Sequence, residues 1–199
     1  EKYGKKLLQI REDEIREKPG VVKSVVDHAM GRTTRKIGAR SCTFAGVTKD
    51  FFESNHLMGW ASAKTLGLKH NGDIMAAISW VRKSSEVNIS RYCTLPGWSV
   101  SGAFSKLLKE LLQRENLTAG IIVNWVDLRY GRGVHLLKLG FVLEKMVLSW
   151  RWTDGHKTYH RLKCRANMDD RKLSEREYAS ELGWFKIYDA GQAKYVKRF

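Results

Sequence analysis

The residues in front of one amphipathic helix have the composition of an anion-binding loop. Residues 99–102, Ser-Val-Ser-Gly, lead into a segment with the i, i+3, i+4, i+7, i+8 spacing of a buried helical stripe. That stripe consists of Phe104, Leu107, Leu108, Leu111 and Leu112. The first N–H groups of a helix lack partners within the helix and lie at its positive end, so they can hold a pyrophosphate. The same pattern also fits an ordinary core helix behind a tight loop.

The elements before this loop predict strands that pair in hairpins. Residues 65–68 and 74–81 flank Asn71-Gly72, the preferred sequence of a tight two-residue turn. A further strand covers about residues 87–94, and a helix begins near Thr48. Three antiparallel strands therefore lead into the loop and the helix.

The elements after the helix continue the alternation of strands and helices. Residues 120–126 predict a buried strand, and a helix from Tyr130 ends at Gly140. Residues 144–153 alternate as one strand, which Asp154-Gly155 turns back into residues 156–163. Ser174 and Glu177 form a capping-box pattern, and residues 184–188 and 193–196 predict a terminal hairpin.

This order divides the chain into three parts. Residues 1–39 are expected to form a basic helical connector, residues 40–166 the main domain, and residues 167–199 an appended helix and hairpin. The predicted fold class is α/β (α+β), with a mixed, mostly antiparallel central sheet flanked by helices. No stretch approaches the ~20 apolar residues of a membrane helix, so we expect a cytoplasmic protein without a membrane partner.

The net charge predicts a polyanionic partner. The chain carries 36 Lys and Arg against 21 Asp and Glu, a net charge of +15. Such an excess favours nucleic acid, and duplex DNA is the expected partner. A solvated basic surface with structural aromatic residues is the alternative. The candidate nucleic-acid-binding residues are Arg32, Arg35, Lys36, Arg40, Lys157, Arg161, Lys163 and Arg165.

The cysteines and histidines predict no metal site. Cys42, Cys93 and Cys164 are odd in number and far apart in sequence, which disfavours a disulfide framework and zinc knuckles. His156 and His160 share a strand face, but four residues of strand separate them by ~13 Å. That distance is too large for one ion.

The order of elements resembles the GNAT acyltransferase superfamily over residues 41–166. The resemblance includes Leu139-Gly140-Phe141 before the final strands. It implies an acyl-coenzyme A cofactor, such as acetyl-coenzyme A, with its pyrophosphate on the loop before the central helix. The superfamily alternates Arg or Gln with glycine there, whereas this chain has Trp98-Ser99-Val100-Ser101-Gly102-Ala103. The implied cofactor-binding residues are Ser99, Val100, Ser101, Gly102, Ser105 and Lys106.

A second resemblance, to the GNAT-like C-terminal region of phage homing-endonuclease-like proteins, covers nearly the whole chain. Its motifs include Asn55-His56-Leu57-Met58-Gly59, Arg91-Tyr92-Cys93 and residues 184–191, Trp-Phe-Lys-Ile-Tyr-Asp-Ala-Gly. In those proteins a very-short-patch-repair-type nuclease domain comes first, and residues 7–14 resemble its exit. The resemblance implies a DNA-associated protein in a bacterial host. Its nuclease carboxylates would precede Glu1, so this chain is not expected to cleave DNA, although a nuclease domain or subunit could contact its N-terminus.

The fold is also similar to phage Mom-type DNA-modification proteins, which implies a base-modifying transferase as an alternative to DNA binding alone. A conventional acetyltransferase for a small amine or a protein lysine is the third hypothesis. Transfer chemistry would use polar residues at the ends of the central strands. His56 would act as general base, Asp127 or Tyr130 as proton shuttle, and Arg91 as anion clamp. The candidate catalytic residues are His56, Arg91, Tyr92, Asp127 and Tyr130.

Overall fold

The computed structural model describes residues 7–160, residue 164 and residues 173–199. The helices are α1 (Glu12–Glu17), α2 (Pro19–Ala29), α3 (Lys49–Asn55), α4 (Ala103–Arg114), α5 (Val134–Leu137) and α6 (Glu175–Glu181). The strands are β1 (Arg35–Gly38), β2 (Thr43–Ala45), β3 (Lys64–His70), β4 (Asp73–Lys83), β5 (Glu86–Thr94), β6 (Trp98–Ser101), β7 (Ile121–Asp127), β8 (Val142–Val147), β9 (Trp150–Thr153), β10 (Thr158–Tyr159), β11 (Phe185–Tyr188) and β12 (Gln192–Arg198). A 3-10 turn, Ala39–Ser41, joins β1 to β2.

The main sheet has seven strands in the order β2-β3-β4-β5-β7-β12-β8. Its neighbours are antiparallel except for β5 and β7, which run parallel. Helix α4 covers β3 and β4 with a buried apolar face that includes Phe104, Leu107, Leu108 and Leu111. The predicted mixed, mostly antiparallel sheet flanked by helices is confirmed.

The parallel strands β5 and β7 diverge soon after they meet. They pair only from Glu86 to Ile89 on β5 and from Ile121 to Asn124 on β7. Beyond that point β5 stays paired with β4 as far as Thr94, and β7 stays paired with β12 as far as Asp127. Because each strand is held by its outer neighbour, the separation opens a cleft in the middle of the sheet.

The terminal hairpin predicted from sequence was wrong in its pairing. Strand β11 pairs with β9 in a separate three-stranded sheet, whereas β12 lies between β7 and β8 in the main sheet. The single strand predicted over residues 144–153 is likewise two strands, β8 and β9, which belong to different sheets. Side-chain alternation identifies a strand but does not specify its partner, which explains both errors.

The predicted helix over Tyr130–Leu139 is shorter than expected. Only Val134–Leu137 is helical, after a loop in which Gly133 has a φ of +67°. A Cβ at Gly133 would lie 2.9 Å from Val126 and 3.0 Å from Tyr195, so this loop packs too closely for a side chain.

The small sheet, β10-β9-β11, has its own aromatic core. Trp152, Cys164 and Ala179 are buried there, and the rings of Tyr159 and Trp184 stack with centroids 4.1 Å apart. The Lys186 ammonium lies 4.2 Å from the Trp150 ring centroid. The capping box predicted at Ser174 and Glu177 is confirmed at the start of α6. Along the described part of the chain, no helix has the length and apolarity needed to cross a membrane.

Glu115, at the end of α4, is a buried carboxylate held by donors from β3 and β4. Its oxygens accept from Lys64 Nζ at 2.8 Å, from Trp80 Nε1 at 2.7 Å and from Arg82 Nη1 at 3.3 Å. Burial opposes the charge of Glu115, but these hydrogen bonds outweigh it and lower its pKa below 4.5.

We expect Glu115→Gln to reduce the acid sensitivity of the fold. A carboxyl whose pKa is lower in the folded than in the unfolded chain stabilises the fold above the unfolded value, and the stabilisation is lost as the pH falls through the folded value. Urea unfolding between pH 3 and pH 7 should show the wild type losing more stability below about pH 4.5 than the variant. At pH 7 the variant should be less stable by roughly 1–3 kcal/mol. Parallel pH profiles for the two proteins would contradict this account.

Candidate active-site cleft and basic pocket

The space between the diverging strands is a cleft of about 840 Å³. Its walls come from β5, β6 and β7, from helix α2 and from the loop after α3. The five residues predicted to be catalytic all line this cleft: His56, Arg91, Tyr92, Asp127 and Tyr130. The structure therefore places together side chains that are up to 74 positions apart in the sequence (56 to 130).

His56 ends α3, and its environment keeps the imidazole neutral. Its Nδ1 accepts a hydrogen bond from the Met58 amide at 3.1 Å, and its carbonyl oxygen accepts from Lys18 Nζ at 2.7 Å. Burial, followed by the charges of Arg91 and Lys18, lowers the pKa of His56 to about 3. An imidazole with such a pKa binds a proton weakly, so it is a weak general base near neutral pH.

Asp127 and Tyr130 belong to an ion network at the end of β7. Arg129, 1% exposed, donates to both carboxylate oxygens of Asp127, with Nη2 to Oδ2 at 2.8 Å. Arg129 Nη1 also donates to Glu14 of α1 at 2.9 Å and 3.0 Å, and Tyr130 Oη donates to Glu14 Oε2 at 2.9 Å. Burial opposes the charge of Arg129, but the hydrogen bonds and charge of Asp127 raise its pKa further. Asp127 and Tyr130, the two residues predicted as proton shuttles, therefore both form hydrogen bonds within this network.

Tyr92 presents a protonated hydroxyl near the start of α4. Its ring packs edge-on against Phe104 with centroids 5.0 Å apart. Burial and the neighbouring Cys93 raise the pKa of Tyr92, and a hydrogen bond from the Phe104 backbone opposes that rise only in part. Burial also raises the pKa of the Cys93 thiol to about 12. Both groups are therefore proton donors, not anions, at neutral pH.

Arg91 lies on β5 two residues beyond the last pair with β7. Its Nε donates to the Gly59 carbonyl at 3.1 Å, and its Nη1 donates to the Ser90 carbonyl at 2.7 Å. Burial lowers the pKa of Arg91, while the charge of Glu53 raises it. No ion pair of Arg91 with an acidic residue is found among the residues that the structure describes.

A second cavity, of about 630 Å³, lies at the start of α4. Gly102 precedes the helix with a φ of +77°, a left-handed conformation that favours glycine. Lys106 Nζ donates to the carbonyls of Ala39 at 3.0 Å and Cys42 at 2.6 Å, which fixes the 3-10 turn against α4. The lining of this basic pocket is Gly38, Ala39, Arg40, Ser101, Gly102, Ser105, Lys106 and Lys109.

The predicted cofactor loop is divided between the two cavities. Ser99 and Val100 line the cleft, whereas Ser101, Gly102 and Ser105 line the basic pocket. Lys109 was not among the site residues predicted from the sequence. Its position four residues after Ser105, on the same face of an amphipathic helix, was the available signal.

The pairing of β1 with β6 joins two sets of residues that the sequence kept apart. The strands run parallel, with Arg35 opposite Trp98 and Lys36 opposite Ser99. The Arg35 guanidinium lies 5.8 Å from the Trp98 ring centroid. The first cluster of predicted nucleic-acid-binding residues thus adjoins the predicted cofactor loop.

The described structure does not place the other predicted nucleic-acid-binding residues next to β1 and the predicted cofactor loop. Lys157 Nζ forms an ion pair with Glu17 at 2.9 Å, close to the small sheet. Arg161, Lys163 and Arg165 lie outside the described residues. Within the described ranges, no group of three or more His, Cys, Asp and Glu side chains could hold a metal ion.

Solved structures to which this chain is similar include acetyltransferases. The ribosomal-protein-S18-alanine N-acetyltransferase from Escherichia coli matches with a TM-score of 0.50 and 12% identity, over 79% of this chain and 93% of that chain. The IAA acetyltransferase from Bacillus cereus ATCC 14579 has a TM-score of 0.46 and 10% identity, over 80% and 100%. A GNAT family acetyltransferase from Elizabethkingia anophelis with acetyl-CoA bound has a TM-score of 0.44 and 14% identity, over 80% and 99%.

The sequence itself matches no protein-family model and no curated protein. At 12% identity, the likeness to the Escherichia coli enzyme shows a common fold. The chain therefore has a GNAT-like fold, as predicted.

Proposed function

We propose that this chain is an acyl-coenzyme A-dependent acyltransferase. The cofactor's phosphates would lie at the start of α4, and the acceptor would enter the cleft. The observation that carries this proposal is the divergence of β5 and β7 beside a helix start with a basic pocket. This arrangement offers a site for an anionic group next to a cleft large enough for a small molecule.

The residues of the basic pocket suit a diphosphate. The amides at the start of α4 lie at the positive end of the helix, and the hydroxyls of Ser101 and Ser105 add donors. Arg40 and Lys109 supply positive charge, and no acidic side chain lines the pocket among the residues that the structure describes. Lys106 adds charge but already donates to two backbone carbonyls, so we assign it to holding the loop.

Acyl-coenzyme A, when bound, would supply a thioester whose carbonyl an acceptor amine or hydroxyl can attack. We assign the Tyr92 hydroxyl, which lines the cleft near α4, to donate a proton to the leaving thiolate. The proton that the attacking amine or hydroxyl loses would return to the Tyr92 phenolate and restore the hydroxyl. The neutral His56 imidazole lines the same cleft and can accept a hydrogen bond from the acceptor. Asp127 keeps Arg129 in place, so in this proposal it supports the site without moving a proton.

Titration calorimetry with acetyl-coenzyme A tests the proposal directly. We expect saturable binding with a Kd of roughly 1 µM to 1 mM, the range of ordinary enzyme substrates. S-Acetylpantetheine, which keeps the thioester arm but lacks the phosphates and the adenosine, is the comparison ligand and should bind more weakly. No heat with acetyl-coenzyme A, together with no thiol release in the presence of amine acceptors, would overturn the proposal.

Duplex DNA is a second candidate partner, favoured by the cations around β1. Arg32, Arg35, Lys36 and Arg40 are exposed, and none forms an ion pair with a described acidic residue. Unpaired cations on one strand and its flanking turns can contact successive phosphates. The resemblances to phage homing-endonuclease-like and Mom-type proteins remain predictions that agree with this candidate.

Neutralising the cations of β1 and of the 3-10 turn that follows it should weaken DNA binding and reduce its dependence on salt concentration. For the triple variant Arg35→Gln, Lys36→Gln and Arg40→Gln, the slope of log K against log salt should fall by about 0.9 for each phosphate that the variant leaves without a protein cation. Fluorescence anisotropy with a labelled duplex at several salt concentrations measures the slope.

The control for this experiment is Lys83→Gln, which removes an exposed cation at the far end of β4.

A second experiment adds acetyl-coenzyme A to the DNA complex. Displacement of the DNA would show that both ligands use the cations near α4. Equal slopes for the triple variant and the wild type would contradict the assignment of DNA to this surface.

A further inference from the structure

Arg91 is a half-buried guanidinium with unused hydrogen-bond donors. A guanidinium carries five N–H groups, and the protein accepts two of them here, at the carbonyls of Gly59 and Ser90. The other donors have no acceptor among the described residues. The two bonded carbonyls fix the side chain in the cleft wall, so an incoming anion would meet a guanidinium that is already oriented.

Lys18 adds a second positive charge at this end of the cleft. Its ammonium donates to the carbonyls of Glu53 at 2.6 Å and His56 at 2.7 Å. Both Lys18 and Arg91 act on His56, whose pKa they lower in addition to the larger effect of burial. The two cations therefore share one small region beside a neutral imidazole.

The nearby acidic groups do not neutralise these cations by direct pairing. Glu53 Oε1 accepts from the Trp60 amide at 3.1 Å, and no carboxylate oxygen of Glu53 lies within 4.0 Å of a guanidinium nitrogen of Arg91. Asp127 is the one acidic side chain that lines the described cleft, and Arg129 holds it. At the end of the cleft next to α3, the two cations Lys18 and Arg91 outnumber the Glu53 carboxylate, whose charge acts on Arg91 from a distance. The site is partly desolvated, and an ionic contact there is stronger than in water.

We infer that Arg91 is a specificity-determining residue that binds an anionic group, a carboxylate or a phosphate, on the acyl acceptor. That the bound molecule is an acyl acceptor rests on the proposed acyltransferase function. That Arg91 binds an anion does not depend on that function. Arg91 directly precedes Tyr92, and both line the cleft. Consecutive residues of a strand point to opposite faces of the sheet, so an acceptor held by its anion at Arg91 would direct its amine or hydroxyl through the opening between β5 and β7 toward the Tyr92 hydroxyl. The volume of about 840 Å³ suits a small acceptor.

Matched pairs of acceptors test this inference. The carboxylate arm compares β-alanine with β-alaninamide, and the phosphate arm compares O-phosphoethanolamine with ethanolamine. Thiol release from acetyl-coenzyme A gives kcat/KM for each compound. In at least one arm we expect the anionic member to exceed its neutral partner by 10-fold or more, and the arm that responds identifies the anion. Equal or greater activity with the neutral members of both pairs would overturn the inference.

Variants of Arg91 connect the preference to this side chain. Arg91→Gln should raise KM for the anionic acceptor at least 10-fold and leave acetyl-coenzyme A binding unchanged. Arg91→Lys, which keeps the charge and loses the planar fork, should recover part of the affinity. Thermal unfolding of both variants, with Lys83→Gln as the matched surface control, monitors folding. An anion preference that persists in a folded Arg91→Gln protein would refute the assignment.

A direct binding measurement separates this inference from the proposed function. Calorimetry with the same four compounds, in the absence of acetyl-coenzyme A, tests the anion site alone. Absence of acetyl-coenzyme A binding with a retained, Arg91-dependent preference for the anionic compounds would refute the transferase and support the anion site. Acetyl-coenzyme A binding without any such preference would support the transferase and refute the anion site.

Discussion

Replacing Arg129 with methionine should lower the free energy of unfolding by about 3–5 kcal/mol, because the change leaves the partly buried Asp127 carboxylate without its cation and leaves Glu14 with Arg11 alone. Arg129 is 1% exposed and contacts Asp127 of β7 and Glu14 of α1. Asp189, in the turn between β11 and β12, lies 3.9 Å from Arg129 Nε and forms a 2.5 Å ion pair with Arg11. One guanidinium therefore connects the N-terminal segment, the edge of the cleft and the C-terminal strands.

Urea unfolding at pH 7 measures the effect, and Tyr130→Phe is the matched control. That control removes a single hydrogen bond to Glu14 Oε2 and should cost only about 1 kcal/mol. A loss below about 1 kcal/mol for Arg129→Met would show that the carboxylates find other partners or water. Such an outcome would also remove the reason for treating Asp127 as a supporting residue in the proposed site.

The sequence predicted those elements whose signal is local. The stripe on α4 is set by spacing within twelve residues, and Asn71-Gly72 directs its own turn, with φ values of +49° and +95°. The capping box of Ser174 and Glu177 is equally local. Strand partners depend on the whole chain, so the separation of β11 from β12 could not be seen in the alternation of either strand.

The candidate cleft was predictable for a related reason, and its electrostatics were not. His56, Arg91, Tyr92, Asp127 and Tyr130 share the cleft because they lie at the ends of elements on the two sides of the divergence. The protonation and ion pairing of these side chains depend on residues that are distant in sequence. Glu14 is 115 positions from Arg129, and nothing in the order Asp127-Leu128-Arg129-Tyr130 indicates that the arginine is fully buried.

The basic pocket explains why the net charge did not distinguish a nucleotide cofactor from DNA as the partner. Arg40, Lys106 and Lys109 line it, and the β1 cations Arg35 and Lys36 lie opposite residues of β6 that lead into α4. Phosphates of a nucleotide cofactor and phosphates of DNA would be attracted by the same field. The two ligands differ in where they would bind. The diphosphate would contact the start of α4, whereas a duplex would contact the exposed strand β1. A variant at the helix start therefore separates the two ligands.

Ser105→Asp should weaken acetyl-coenzyme A binding by roughly 10–100-fold while leaving the fold intact. Ser105 is exposed on the first turn of α4 and lines the basic pocket. A carboxylate on the first turn of a helix is favoured by the helix dipole, by roughly 0.3–1 kcal/mol, so the variant should be at least as stable as the wild type. The same carboxylate would face the diphosphate. Two like charges about 6 Å apart repel by about 2–3 kcal/mol at an effective dielectric constant of ~20.

Calorimetry with acetyl-coenzyme A measures the loss, and Ser105→Asn, similar in size and uncharged, is the matched control. The asparagine variant should bind within about 3-fold of the wild type, since it adds no charge and both residues can donate a hydrogen bond. DNA affinity should change far less than cofactor affinity if the duplex contacts β1 and not the helix start. Wild-type cofactor binding by a stable Ser105→Asp protein would mean that the diphosphate does not lie at the start of α4, and the proposed cofactor site would be wrong.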